Sequence, residues 1–189
     1  MERKSPKPDL SLSLRTAQRI VEAVLPDARV TAIGSVRGGN MGAVFELVLA
    51  DEMPPLMLKV YPEAYSWIMQ KGVNVAGLMR DQIDALVPDI LLSDASKTVL
   101  PLSFVLMSKI EGENLRSVEN EFSAKEVKSV YRLMGEVLRK LHRISMGAFG
   151  YIGPQGLKPA HASNYAYVTS QFDQRSSSSA AATHASPTA

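Results

Sequence analysis

The sequence contains no cysteine. Disulfide frameworks, thiolate zinc sites and cysteine nucleophiles are therefore excluded. It also lacks any apolar run near the roughly 18 residues that a membrane span needs. Its first thirty residues hold no continuous apolar stretch of secretory type, because Leu10, Leu12 and Leu14 alternate with Ser11 and Ser13. An excess of charge of one sign is missing too. Against 21 Lys and Arg stand 19 Asp and Glu, a net charge of +2, which gives no electrostatic footprint for nucleic acid. Arg3, Lys4 and Lys7 read as a solvated, frayed end. The expectation is a cytoplasmic protein whose partners include neither nucleic acid nor membrane.

What is present is a composition that can fold. Hydrophobic residues make up 46% of 189 residues, enough for one domain or for one and a part. Residues 1–12 read as a flexible lead. A helix is predicted from about Ser13, because Ala17, Ile20, Val21 and Val24 share one helical face. Strands are predicted at Val30–Gly34, Ala43–Ala50 and Leu56–Tyr61, and their short connections suggest an antiparallel meander. A helix from Ala64 to Ala85 follows, weakened by Gly72. Two more strands are expected at Ile90–Leu92 and Phe104–Ile110. The clearest element is a helix from Ser123 to His142. Ser123 and Glu126 have capping-box spacing, and Val127, Val130, Tyr131, Met134, Val137, Leu138 and Leu141 hold one face. From Ser176 to Ala189 the chain is small, polar and patternless, and it reads as disordered.

Three features could carry chemistry. Gly38, Gly39, Asn40, Met41 and Gly42 form a turn between two strands, where backbone amides can approach a phosphate closely. Taken alone, the turn is better explained as a hairpin needing positive φ. Lys59 lies inside the apolar run Leu56–Tyr61. It either points to the wet face of its strand or serves as the cation for phosphates held by the turn. The apolar strand Phe104–Met107 runs through Ser108, Lys109 and Ile110 into Glu111 and Gly112. By itself that reads as a strand end. Glycine hairpin, strand, lysine and helix, in that order, match the N-lobe of a kinase.

The segments GGNMGAVFELVL, MLKVY, VPDILL, FVLMSKIEGENL, LMGEVLRKLHRI and FGYIG resemble, in order and spacing, the aminoglycoside phosphotransferase and choline-kinase-like family. The resemblance covers about Leu12 to Phe172. It implies an α+β, protein-kinase-like fold: an N-lobe at 13–110 with a five-stranded antiparallel sheet plus helix, then the hinge and the start of a helical C-lobe at 111–172. A disordered tail would occupy 173–189. The implied activity is ATP-dependent phosphorylation of a small-molecule hydroxyl with Mg²⁺. By the same resemblance Gly39, Asn40, Met41 and Gly42 would cover the phosphates, and Lys59 would contact the α- and β-phosphates. Met107 would lie behind the adenine. The Ser108 carbonyl and the Ile110 amide would bind its edge.

The chain departs from that family in three places. None of His142, His161 and His184 begins an H-x-D-x-x-x-x-N pattern, and no metal-binding Asp follows. No catalytic residue and no metal ligand is therefore assigned. Gly72 stands where a glutamate partner for Lys59 is expected. Family-like sequence also gives way after Phe172 to a serine and alanine tract. The resulting expectation is a chain truncated before its catalytic loop, as a fragment or frameshift product, and inactive alone. The alternative is a non-catalytic nucleotide-binding or interaction module. Either reading leaves the apolar face of the helix 123–142 short of partners, so self-association is expected there.

Overall fold

A computed structural model describes residues 11–36, 42–80, 82–83 and 87–183. The chain forms two compact units, Met1–Arg143 and Ile144–Ala189. The first opens with α1 (Leu14–Glu22), followed by β1 (Val30–Val36), β2 (Ala43–Leu49) and β3 (Leu56–Tyr61). After a short 3₁₀ turn come α2 (Ser66–Arg80), β4 (Ile90–Asp94), β5 (Ser103–Ser108), α3 (Leu115–Val118) and α4 (Ala124–Leu141). The five strands make one antiparallel sheet in the order β1-β2-β3-β5-β4. The first three strands form the expected meander. β5 then inserts beside β3 and leaves β4 at the edge. The short segment Ile90–Asp94 pairs on one side only, and its exposure alternates as an edge strand's should.

Strand alternation sorts the side chains onto two faces. Phe45, Leu47, Leu49, Leu56, Leu58, Val60, Phe104 and Leu106 turn to one face and form the main core with Ala17, Ile20 and Val21 of α1. Ser13 starts that helix, its hydroxyl accepting from the Thr16 amide at 3.1 Å. The opposite face carries a smaller cluster, Tyr61, Val105 and Met69 of α2, with Ile68, Val73, Ile90 and Met107 packed against it. The sheet is thus covered by a helix on each side, and α2 seats itself chiefly through Met69.

α4 begins as its sequence predicts. The Ser123 amide donates to the Glu126 carboxylate at 2.8 Å, the Ser123 hydroxyl donates to it at 2.6 Å, and the Glu126 amide returns to that hydroxyl at 3.4 Å. These bonds, the hydroxyl's first, hold the Glu126 carboxyl below its ordinary value. A depressed folded pKa gives stability that is present above the unfolded pKa and lost as pH falls through the folded one. Acid titration followed by circular dichroism should therefore show part of the helix signal falling below about pH 4. Glu126→Gln should remove that part of the pH dependence.

The second unit contains a two-residue hairpin, β6 (Ile152–Gly153) with β7 (Gly156–Leu157), and α5 (Asn164–Thr183). α5 departs from the sequence reading, because its backbone stays helical through the serine and alanine tract as far as Thr183. Alanine's high helix propensity outweighs the missing apolar pattern. Among the described residues no helix is long and apolar enough to cross a membrane.

Candidate functional site

Two of the residues singled out in the sequence, Lys59 and Met107, lie on the α2 side of the sheet. Two rows cross it. Val44, Lys59 and Val105 are in register on β2, β3 and β5. Glu46, Met57, Met107 and Ile90 form the next row. Because side chains at i and i+2 share a face, Met57, Lys59 and Tyr61 point the same way. Lys59 is half-buried, and its ammonium lies 4.9 Å from the centre of the Tyr61 ring, a cation–π contact with a buried aromatic. Of the two orientations open in the sequence, the structure has the lysine on the face that also carries Met107.

Of the glycine turn, Gly39, Asn40 and Met41 lie outside the described residues, while Gly42 lies within them. A Cβ built on Gly42 would stand 2.3 Å from the Val60 carbonyl oxygen. That atom is backbone and cannot swing aside, so only glycine lets the chain re-enter the sheet here. Ala43 pairs with Val60, one residue along from Lys59. The end of the turn and the lysine are therefore neighbours through the β2–β3 ladder.

At the other end of the site the chain leaves β5. The Ser108 amide donates to the Asp89 carbonyl at 2.9 Å, and the Asp89 amide donates to the Ser108 hydroxyl at 2.8 Å. Asp89 also pairs with Arg80 at 3.1 Å. Ser108 is thus fixed from the β4 side. Lys109 reaches back to β2, its ammonium 3.0 Å from Glu46 and 3.6 Å from Glu111. Ile110 is exposed, and Gly112 adopts φ +143°, a backbone conformation that only glycine takes readily. The chain turns out of the sheet there.

The position aligned with the missing glutamate does not face the sheet. Gly72 is on the exposed side of α2, and nothing lies within 4 Å of a Cβ built there. The α2 positions that pack on the sheet are Ile68, Met69 and Val73, all apolar. Among the described residues Lys59 forms no ion pair. His142 ends α4, its amide donating to the Leu138 carbonyl at 2.9 Å. His161 is better ordered than its sequence neighbourhood suggests. Its backbone pairs with Phe149, and its ring nitrogen lies 3.3 Å from the Ser170 hydroxyl. His184 lies outside the described residues. No three His, Asp or Glu side chains converge as a metal site among the described residues.

Sequence reasoning missed Val44, Met57, Glu46 and Lys109 as members of this face. The signal was available, since Met57 stands at i−2 from Lys59 and Lys109 at i+2 from Met107. The positions of Val44 and Glu46 required the register between strands, which the sequence does not state.

Comparison with known proteins gives two findings. The family described as APH, phosphotransferase enzyme family, matches residues 35–182. A crystal structure of a thermostable mutant of aminoglycoside phosphotransferase APH(4)-Ia, in ternary complex with AMP-PNP and hygromycin B, is similar in structure at a TM-score of 0.55 and 16% identity. The match covers 77% of this chain and 46% of that one, so the chain spans about half the length of the structure it resembles. No curated protein sequence matches. The structural likeness shows the fold, an α+β arrangement of the protein-kinase-like kind whose five-stranded antiparallel sheet and helix are those described above.

Proposed function

Since the chain belongs to the APH phosphotransferase enzyme family, we propose that it is the nucleotide-binding part of an ATP-dependent phosphotransferase acting on a small-molecule hydroxyl. One observation carries the reading. Lys59 shares a sheet face with Met107, and its strand is paired on one side with the strand that leaves the glycine turn and on the other with the strand that leaves the sheet. In this reading Gly39, Asn40, Met41 and Gly42 cover the phosphates. Lys59 neutralises their charge, Met107 backs the base, and the Ser108 carbonyl and Ile110 amide meet its edge. Arranged groups of this kind position a phosphoryl group and stabilise its charge, which is most of what phosphoryl transfer asks of a protein. The proposed use of ATP fits a cytoplasmic location.

Positioning alone does not transfer phosphate. The 189 residues contain no H-x-D-x-x-x-x-N pattern. Their described part offers no cluster that fits Mg²⁺. These residues by themselves are proposed to bind ATP without turnover. Calorimetric titration of the purified chain with ATP, with and without Mg²⁺, tests the first half. Lack of saturable binding sinks it. An ADP-release assay with small polyhydroxylated acceptors tests the second, and sustained release would show that the aspartate argument is wrong.

A second reading, as an interaction module, is favoured by α4. Val130, Leu133, Met134, Val137 and Leu138 line an open apolar depression of about 410 Å³. Leu133 and Leu138 are 53% and 50% exposed, although such side chains gain roughly 1.5–3 kcal/mol each on full burial. We propose that this face pairs with a second copy. Sedimentation should give a concentration-dependent oligomer, and Leu133→Glu with Leu138→Glu should return it to monomer. A wild-type chain monomeric at high concentration would refute the pairing.

A further inference from the structure

The Lys109–Glu46 ion pair lies on the candidate face and takes no part in the proposed nucleotide contacts. Lys109 lies between Ser108 and Ile110, the two residues proposed to meet the base edge. Its partner belongs to β2, two strands away, with β3 between. Glu46 lies in the row of Met57 and Met107, so the pair crosses the same face at the end where the chain leaves the sheet. Both side chains are about two-thirds covered, at 31% and 32% exposed, while Glu111, the weaker partner, is 77% exposed. The hydrogen bond that Lys109 donates to Glu46 is the largest cause holding its ammonium above the ordinary lysine pKa.

Two anchors therefore hold the linker from opposite sides. On the β4 side the Asp89 carbonyl accepts from the Ser108 amide and the Asp89 amide donates to the Ser108 hydroxyl. On the β2 side Glu46 takes Lys109. Beyond them Gly112 turns the chain at φ +143°, with open space where a Cβ would stand. A backbone donor or acceptor is useful to a ligand only if it is already in place before binding.

We propose that Glu46 and Lys109 are positioning residues for base recognition, the ion pair holding the linker so that the Ser108 carbonyl and Ile110 amide are presented together. The inference rests on the reading that the chain binds nucleotide, and the test separates the two. Wild type, Glu46→Gln, Lys109→Met, Lys109→Arg and the reversed pair Glu46→Lys with Lys109→Glu are titrated with ATP and with inorganic tripolyphosphate. Each neutral variant should bind ATP about fivefold more weakly, as expected for a partly covered ion pair, with tripolyphosphate affinity unchanged. Lys109→Arg and the reversed pair should recover most of the loss. Hydrogen exchange at residues 108–112 should quicken in the neutral variants alone. Wild-type binding of ATP with unaltered affinity in the neutral variants would overturn this proposal and leave the nucleotide reading standing. So would an equal loss for ATP and tripolyphosphate, which marks a general charge effect. Absence of ATP binding by the wild type would overturn both.

Discussion

Lys59→Ala is expected to weaken ATP binding about ten- to a hundredfold while leaving the unfolding midpoint nearly unchanged. The size follows from the chemistry. A hydrogen bond to a charged group contributes about 1.5–3 kcal/mol, and each 1.4 kcal/mol is a factor of about ten in affinity. The small effect on stability follows from position. Lys59 is half-buried, its contact is a cation–π pair with Tyr61, and neither core cluster contains it. If Lys59 meets phosphate as proposed, removing its ammonium should also flatten the salt dependence of ATP binding. Calorimetry at two ionic strengths, with a urea melt of each protein, reads all three quantities. An alanine variant that binds ATP as wild type would exclude Lys59 from the site. It would support a polar surface lysine that merely shares the face.

The second large effect is on stability. Phe104→Ala should cost about 3–5 kcal/mol, the usual range for deleting a buried aromatic, out of the 5–15 kcal/mol that holds a typical domain. Phe104 is 1% exposed, sits on β5 opposite Val60, and belongs to the α1-side core with Ile20 and Leu58. β5 is an interior strand, so the cavity opens in the middle of the sheet and cannot collapse from an edge. Urea denaturation followed by circular dichroism should show the midpoint falling with little change in slope. Tyr131→Ala is the control. Tyr131 is 61% exposed on α4, and its loss should stay within about 0.5 kcal/mol of wild type. Equal effects for the two would place the core elsewhere.

What the sequence disclosed, and what it withheld, follows from which forces are local. A compact apolar run after Pro54 and Pro55 placed β3 at Leu56–Tyr61 with its observed ends, and capping chemistry placed the start of α4 at Ser123, because each of these signals is complete within a few residues. The order β3-β5-β4 was not legible. Whether Ser103–Ser108 pairs with β3 or with the end of a meander depends on which faces must be buried, not on either strand's own residues. The orientation of α2 was missed for a related reason. Two glycines and a weak apolar pattern leave its inward face undefined until Met69 meets Tyr61 and Val105, so Gly72 could be aligned with a glutamate that the helix does not turn inward. Lys59 and Met107 could be proposed from a lineage of motifs, but their shared face with Glu46 rests on register alone. α5 shows the opposite failure: a stretch without an amphipathic stripe still forms helix where alanine is abundant.

The β3–β5 ladder has a metric consequence. Lys59 stands opposite Val105, and three steps further along the pair Leu56 and Ser108 closes the ladder. At about 3.4 Å per residue the lysine and the strand exit are roughly 10 Å apart. Because both ends are hydrogen-bonded to each other residue by residue, that interval behaves as a ruler and cannot stretch or shorten with the ligand. A molecule gripped at both marks must match it in length, as a nucleoside carrying its first phosphate would. Variation in the number of phosphates would have to be absorbed beyond the ruler, at the glycine turn that ends at Gly42.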